Sequence, residues 1–100
     1  MLVLGWGSTF GAIITAVERC REEGLSVSSA HLRYLNPLPP DLGSILQRFN
    51  KVLLPELNLG QLAKVLRAEY LVPIISYSKV QGLPFAPTEI VDKIKELLKH

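Results

Sequence analysis

Leu2, Val3 and Leu4 stand together without a polar interruption, and from Ser8 onward the apolar positions spread out to Phe10, Ile13, Val17 and Cys20. The unbroken run predicts a short strand covered on both faces, placed centrally in its sheet. The i, i+3, i+7, i+10 spacing that follows predicts a helix with one inward stripe, and Glu18, Arg19, Arg21, Glu22 and Glu23 lie largely on its other side. Gly24 supplies the left-handed cap that ends it. A second unit pairs a strand from about Ser26 to Leu35 with a short helix carrying Leu42, Ile45, Leu46 and Phe49 inward; Pro37, Pro39 and Pro40 between them forbid continued pairing.

The third unit repeats the buried-strand signature at Val52, Leu53 and Leu54, where Pro55 lacks a ladder donor and is expected to stop the strand. Leu59, Leu62, Ala63, Leu66 and Tyr70 then share one helical face, and Asn58 followed by Gln61 resembles a capping box. The fourth strand is expected from about Ile74 to Val80. The last helix should bury Ile90, Val91, Ile94, Leu97 and Leu98, with Pro87 favouring its first turn. Strand and helix alternating this regularly predict an α/β domain of three layers, α/β/α, on a mostly parallel sheet whose carboxyl edge is where ligands and partners are met. There is no tandem repeat, low-complexity stretch or visible linker.

One hundred residues, 48% of them hydrophobic, suffice for one small domain with its own core. Eleven Lys and Arg against nine Asp and Glu leave a formal charge of +2, with the basic residues scattered, so a nucleic-acid footprint is not supported. No apolar run approaches the roughly 20 residues that cross a bilayer, and the amino end lacks the pattern of a signal peptide. A cytoplasmic protein is expected. Cys20 is the only cysteine, which excludes an internal disulfide and a cluster built from this chain's thiolates, and leaves a small core residue as the expected role.

Candidate chemistry concentrates where strands end. Gly5-Trp6-Gly7-Ser8-Thr9 puts free backbone N–H groups and hydroxyls at a helix start, where a phosphate or carboxylate is welcome. The alternative is a tight turn, with Gly5 and Gly7 for the bend, Ser8 as cap and Gly11 for close approach of helix to sheet. The turn is preferred, because the spacing G-x-G-x-x-x-G is not the dinucleotide G-x-G-x-x-G, and Arg33, Tyr34 and Asn36 stand where an acidic ribose ligand belongs. Trp6 is a large aromatic on an exposed turn and a natural partner contact. Glu56 is weighed between general base or interface ligand and a carboxylate favouring a helix dipole. Asn58 and Gly60 fit a cap and a close approach. Lys79, Gln81 and Gly82 form a polar loop on the ligand edge. No nucleophile, base and orienter converge in the sequence, so no catalytic residue is assigned.

GWGSTFGAI, HLRYLNPLPPDLG, VLLPELNLGQLAKVLRAEYL and SYSKVQGLPF, taken in this order and covering Leu2 to about Ile94, resemble one domain of the alpha subunit of 2-oxoacid:ferredoxin oxidoreductases. It is the domain that follows the thiamine-pyrimidine-binding domain, and the 2-oxoglutarate type is the best match. The resemblance implies a fold like the carboxy-terminal domain of transketolase and a piece of a longer subunit. The parent reaction it implies converts a 2-oxoacid, coenzyme A and oxidised ferredoxin to an acyl-CoA, carbon dioxide and reduced ferredoxin, using thiamine diphosphate, magnesium and an iron–sulfur cluster. The family's activating glutamate belongs to the preceding domain and its diphosphate and cluster ligands to the beta subunit, so no cofactor or metal is expected on this chain. Asp41 and Asp92, the two aspartates, are not flanked by glycine as the family's diphosphate segment requires. The expected role is noncatalytic and structural, with the pyrimidine-binding domain, the beta subunit and, for the parent complex, ferredoxin as partners. The alternative is a free-standing small-molecule or nucleotide-binding domain using the Gly5–Gly7 turn.

The family's sheet has an extra antiparallel edge strand before the segment matching Leu2. Without it, four parallel strands in the order two, one, three, four are expected, with helices one and two on opposite faces and the strand around Ala30 left as an uncovered edge. Such an edge favours self-association.

Overall fold

The computed structural model describes residues 1–32, 40–56, 61–79 and 84–99. Strands β1 (Leu2–Trp6), β2 (Ser28–Leu32), β3 (Val52–Glu56) and β4 (Ile74–Ser78) form one sheet in the order β2-β1-β3-β4, and every pairing is parallel. Helices α1 (Phe10–Glu22), α2 (Leu42–Gln47), α3 (Gln61–Tyr70) and α4 (Pro87–Leu98) connect or follow them, with a 3-10 turn over Gly7–Thr9. The expected strand order and fold class are therefore observed.

Alternation along the central strands divides the core in two. Leu2 and Leu4 of β1 with Val52 and Leu54 of β3 pack against Leu42 and Leu46 of α2 and Leu62, Ala63 and Leu66 of α3. Val3 and Leu53 point the other way, against Ile13, Ala16, Val17 and Cys20 of α1 and Ile90, Val91 and Ile94 of α4. Every one of these side chains is buried, which explains why the central strands show no polar alternation. Helices one and two lie on opposite faces, as the reversal of winding between β2 and β3 requires. Cys20 is a buried core residue, and burial pushes its thiol above its ordinary value, with Glu23 adding to the effect.

Four local expectations are corrected. Phe10 does not join the inward stripe: it is 41% exposed, and its ring lies 4.3 Å from that of His31 on β2. It occupies the first turn of α1, directly after the 3-10 turn, and the buried stripe of the helix is Ile13, Ala16, Val17 and Cys20. The cap position of α1 is Thr9, not Ser8, because the 3-10 turn delays the helix. Gly11 has open space where a Cβ would stand, whereas a Cβ on Gly5 would meet Ile13 Cδ1 at 2.5 Å. The close approach of helix to sheet therefore falls on the strand glycine. Finally, Pro55 does not end β3, which runs on to Glu56 and pairs with β4 through Glu56 and Ser78.

The reason Pro55 is tolerated also shapes the site. Lys79 N donates to Glu56 O at 2.9 Å, so Glu56 turns its backbone groups toward β4 and, by alternation, Pro55 faces β1. The β1–β3 ladder stops at Val3 opposite Leu53. The next bond would run from the amide of residue 55 to the carbonyl of Leu4, and proline has no hydrogen to give. The two central strands thus share only the first half of their length.

Candidate functional site

Where β1 and β3 part, the strand order also reverses, with β2 to one side and β4 to the other. Sheets of this kind offer a crevice at that switch point, at the carboxyl ends of the strands. One wall is the Gly7–Thr9 turn. Gly7 has φ +65°, and nothing lies within 4 Å of where its Cβ would stand, so backbone conformation and not crowding requires glycine there. Gly24, with φ +84°, is the expected left-handed cap of α1. Thr9 is buried, and its Oγ1 donates to Trp6 O at 2.9 Å. By the same alternation the Trp6 carbonyl faces the side that β3 no longer reaches, so Thr9 supplies a donor the sheet does not. Trp6 itself is half-buried and packs against the α2–α3 side of the core.

The other wall is Glu56, the last residue of β3. Its side chain is 1% exposed, yet it carries a carboxylate. Leu62 N donates to Oε1 at 3.1 Å and Ala63 N donates to Oε2 at 3.2 Å. These are free amides of the first turn of α3, which carry the positive end of the helix dipole. The carboxylate therefore occupies the anion position of that helix. These amides are the ones a helix N-terminus offers to a phosphate, and here the two oxygens of Glu56 already take them. The residues described do not fit a thiamine diphosphate site at this point, and among them no group of three or more His, Cys, Asp or Glu is arranged to hold a metal ion.

Lys79 follows β4 and turns inward. Its Nζ lies 2.7 Å from Glu89 Oε1 and 3.2 Å from Pro84 O, and stands 5.7 Å from the centre of the Phe85 ring. Ala86 N donates to the same Glu89 oxygen at 2.9 Å, the carboxylate half of a capping box at the start of α4. Lys79 thereby ties the end of β4 to the first turn of α4. The Lys79 ammonium, and after it the Ala86 amide, hold the Glu89 carboxyl below its ordinary value. A depressed carboxyl stabilises the fold above the unfolded-state value and loses that contribution as pH falls through the folded one. The stability advantage of the parent chain over Glu89→Gln should accordingly be present at neutral pH, begin to fade as pH falls below about 4, and be gone once pH passes below the lowered folded-state value, which thermal melts of both proteins across an acid series would show. Nearby, burial first and Glu89 second push the Tyr77 hydroxyl up, and its ring meets Phe85 at 5.2 Å.

Of the residues singled out in the sequence, Gly5, Trp6, Gly7, Ser8, Thr9 and Glu56 end β1 and β3 on the two sides of the crevice. Lys79, just past the end of β4, donates its backbone amide to Glu56 O, while its side chain turns to Glu89 at the start of α4. Arg33, Asn36, Asn58, Gly60, Gln81 and Gly82 lie outside the described residues, and with Asn58 so does the proposed capping box of helix three. His31, assigned only to its strand by sequence, lies beside this edge: its Nδ1 is buried with no hydrogen-bond partner among the described residues, and its ring packs against that of Phe10. The alternation of β2 gave no signal for that contact, because it depends on where α1 begins.

No family model matches the chain. It is 54% identical over 90 residues to the 2-oxoglutarate oxidoreductase subunit KorA of Mycobacterium tuberculosis, covering 90% of this chain and 14% of that protein. It is 36% identical over 100 residues to the alpha subunit of 2-oxoacid:ferredoxin oxidoreductase 2 of Aeropyrum pernix, covering 97% of this chain and 16% of that one. The chain is a homologue of one segment of the 2-oxoacid:ferredoxin oxidoreductase alpha subunit. The structure agrees: 95% of the chain superposes on 17% of one chain of the Magnetococcus marinus 2-oxoglutarate:ferredoxin oxidoreductase, with a TM-score of 0.90 and 38% identity. A split-gene transketolase matches over 98% of the chain and 38% of its own length, with a TM-score of 0.71 at 17% identity, which shows the transketolase-like fold. The chain thus spans about a sixth of the oxidoreductase proteins it matches. Among the described residues no helix is long and apolar enough to cross a membrane.

Proposed function

We propose that this chain is a noncatalytic structural and assembly domain of a thiamine-diphosphate-dependent 2-oxoacid:ferredoxin oxidoreductase, of the 2-oxoglutarate type. The observation that carries the reading is Glu56. In a domain built to bind an anionic cofactor at its switch point, the helix amides there would be left open; here a buried carboxylate fills them. The homology supplies the parent, and the filled helix terminus supplies the limit on what this part does. In the parent complex, thiamine diphosphate, magnesium and the iron–sulfur cluster are held by other regions, coenzyme A is a cosubstrate and ferredoxin accepts the electrons. The chain's contribution is a rigid sheet whose carboxyl edge, with Trp6 and the Gly7–Thr9 turn, packs against the pyrimidine-binding domain of the same subunit and the beta subunit. The 100 residues form one transketolase-like domain of a longer alpha subunit that works in the cytoplasm.

Calorimetric titration of the chain with thiamine diphosphate, NAD and ATP, each with magnesium, separates this reading from a free-standing nucleotide-binding domain. We expect no heat of binding at micromolar ligand. A micromolar dissociation constant for any of the three would place an independent ligand site on the chain and overturn the assembly-only role.

A further inference from the structure

Among the described residues β4 ends the sheet opposite β2, with no strand paired to its other side. Because Lys79 N donates to Glu56 O and Ser78 stands opposite Glu56, the backbone groups of Ile75, Tyr77 and Lys79 face β3, and those of Ile74, Ser76 and Ser78 face outward. An outward row of this kind is a template for another strand. It is also self-complementary. Two copies brought together antiparallel about a twofold axis through Ser76 would set Ile74 of each opposite Ser78 of the other, and both outer rungs of that pairing would need the Ile74 carbonyl as acceptor.

That carbonyl is taken. Arg67, an exposed residue in the last turn of α3, donates from Nε to Ile74 O at 3.0 Å, and its Nη2 donates to the same oxygen. Two guanidinium nitrogens on one carbonyl lay the planar head of the side chain along the path of an incoming strand. We propose that Arg67 guards the β4 edge against strand addition by a second copy of this chain. The guard is a guanidinium, so it sets a charge at the edge where an approaching copy brings a second one. The same group that closes the carbonyl repels its symmetry mate.

Sedimentation velocity over a range of concentrations tests the guard. Arg67→Met keeps a stem of similar length and removes the donors, and its dimer dissociation constant should fall about tenfold or more relative to the parent chain. Adding Ser76→Pro, which deletes the amide at the centre of the pairing and is tolerated on an outward-facing position, should return association to the parent level. Arg67→Lys, with one point donor in place of the fork, should show a smaller gain of the same sign. The inference is overturned if folded Arg67→Met associates no more than the parent, or if its association survives Ser76→Pro unchanged. Should Arg67→Met prove unfolded by circular dichroism, a folded Arg67→Lys with no gain in association overturns it equally.

Discussion

Glu56→Ala should lower the stability of this domain by about 3 kcal/mol and its Tm by roughly 15 °C. The carboxylate is 1% exposed and accepts from two amides of the first turn of α3. Deleting it leaves Leu62 N and Ala63 N buried without acceptors, removes a negative charge from the positive end of a helix, and opens a cavity between β3 and α3. Glu56→Gln keeps the shape and one carbonyl acceptor, but presents its amide nitrogen to a second donor; about half the loss is expected. Urea denaturation gives the magnitudes, and hydrogen exchange at Leu62 and Ala63 locates them: both amides should exchange much faster in Glu56→Ala, with the β1 amides little changed below the global unfolding limit. A loss of less than about 1 kcal/mol would mean that water replaces the carboxylate and that the helix terminus is not closed by it.

Gly5→Val is the second large effect, with an expected cost of about 3 kcal/mol. A Cβ at position 5 would stand 2.5 Å from Ile13 Cδ1, and Ile13 is wholly buried between α1 and the sheet. The clash is with the end of a side chain, so Gly5→Ala should be milder, about 1–2 kcal/mol, as Ile13 turns to another rotamer. That origin can be tested directly. Ile13→Val removes the offending methyl at a cost of about 1 kcal/mol on its own, and combining it with Gly5→Ala should recover roughly 1 kcal/mol relative to the sum of the two. Strict additivity would show that backbone freedom, not the Ile13 contact, sets the requirement for glycine at this position.

The architecture was legible because it rests on features that act at long range along the chain. Unbroken apolar runs at Leu2–Leu4 and Val52–Leu54 can only be strands buried on both faces, and four helical stripes between and after strands leave few ways to wind a parallel sheet. The site was less legible, for a physical reason. Which glycine is crowded, Gly5 or Gly11, depends on the depth at which α1 sits over β1, and Phe10 is exposed because a 3-10 turn shifts the start of that helix. Pro55 misleads for a similar reason: a strand has two edges, and a proline silences only one of them. For Glu56 the sequence leaves a base or interface ligand and a helix-terminus carboxylate both open, and its burial and its two amide partners follow only from the placement of α3 on the sheet. Lys79, chosen as a loop residue on the ligand edge, is engaged by Glu89 ten positions on, a pairing that only the fold of β4 against α4 creates.

A domain that works by being held in a larger assembly, as proposed for this one, should keep its partners in hand, and affinity capture tests that most directly. The tagged chain, used as bait in an extract of its source organism, should retain the oxidoreductase beta subunit or a protein carrying the pyrimidine-binding domain, identified by mass spectrometry. Recovery of the bait alone, under conditions in which the intact oxidoreductase is present in the extract, would contradict it.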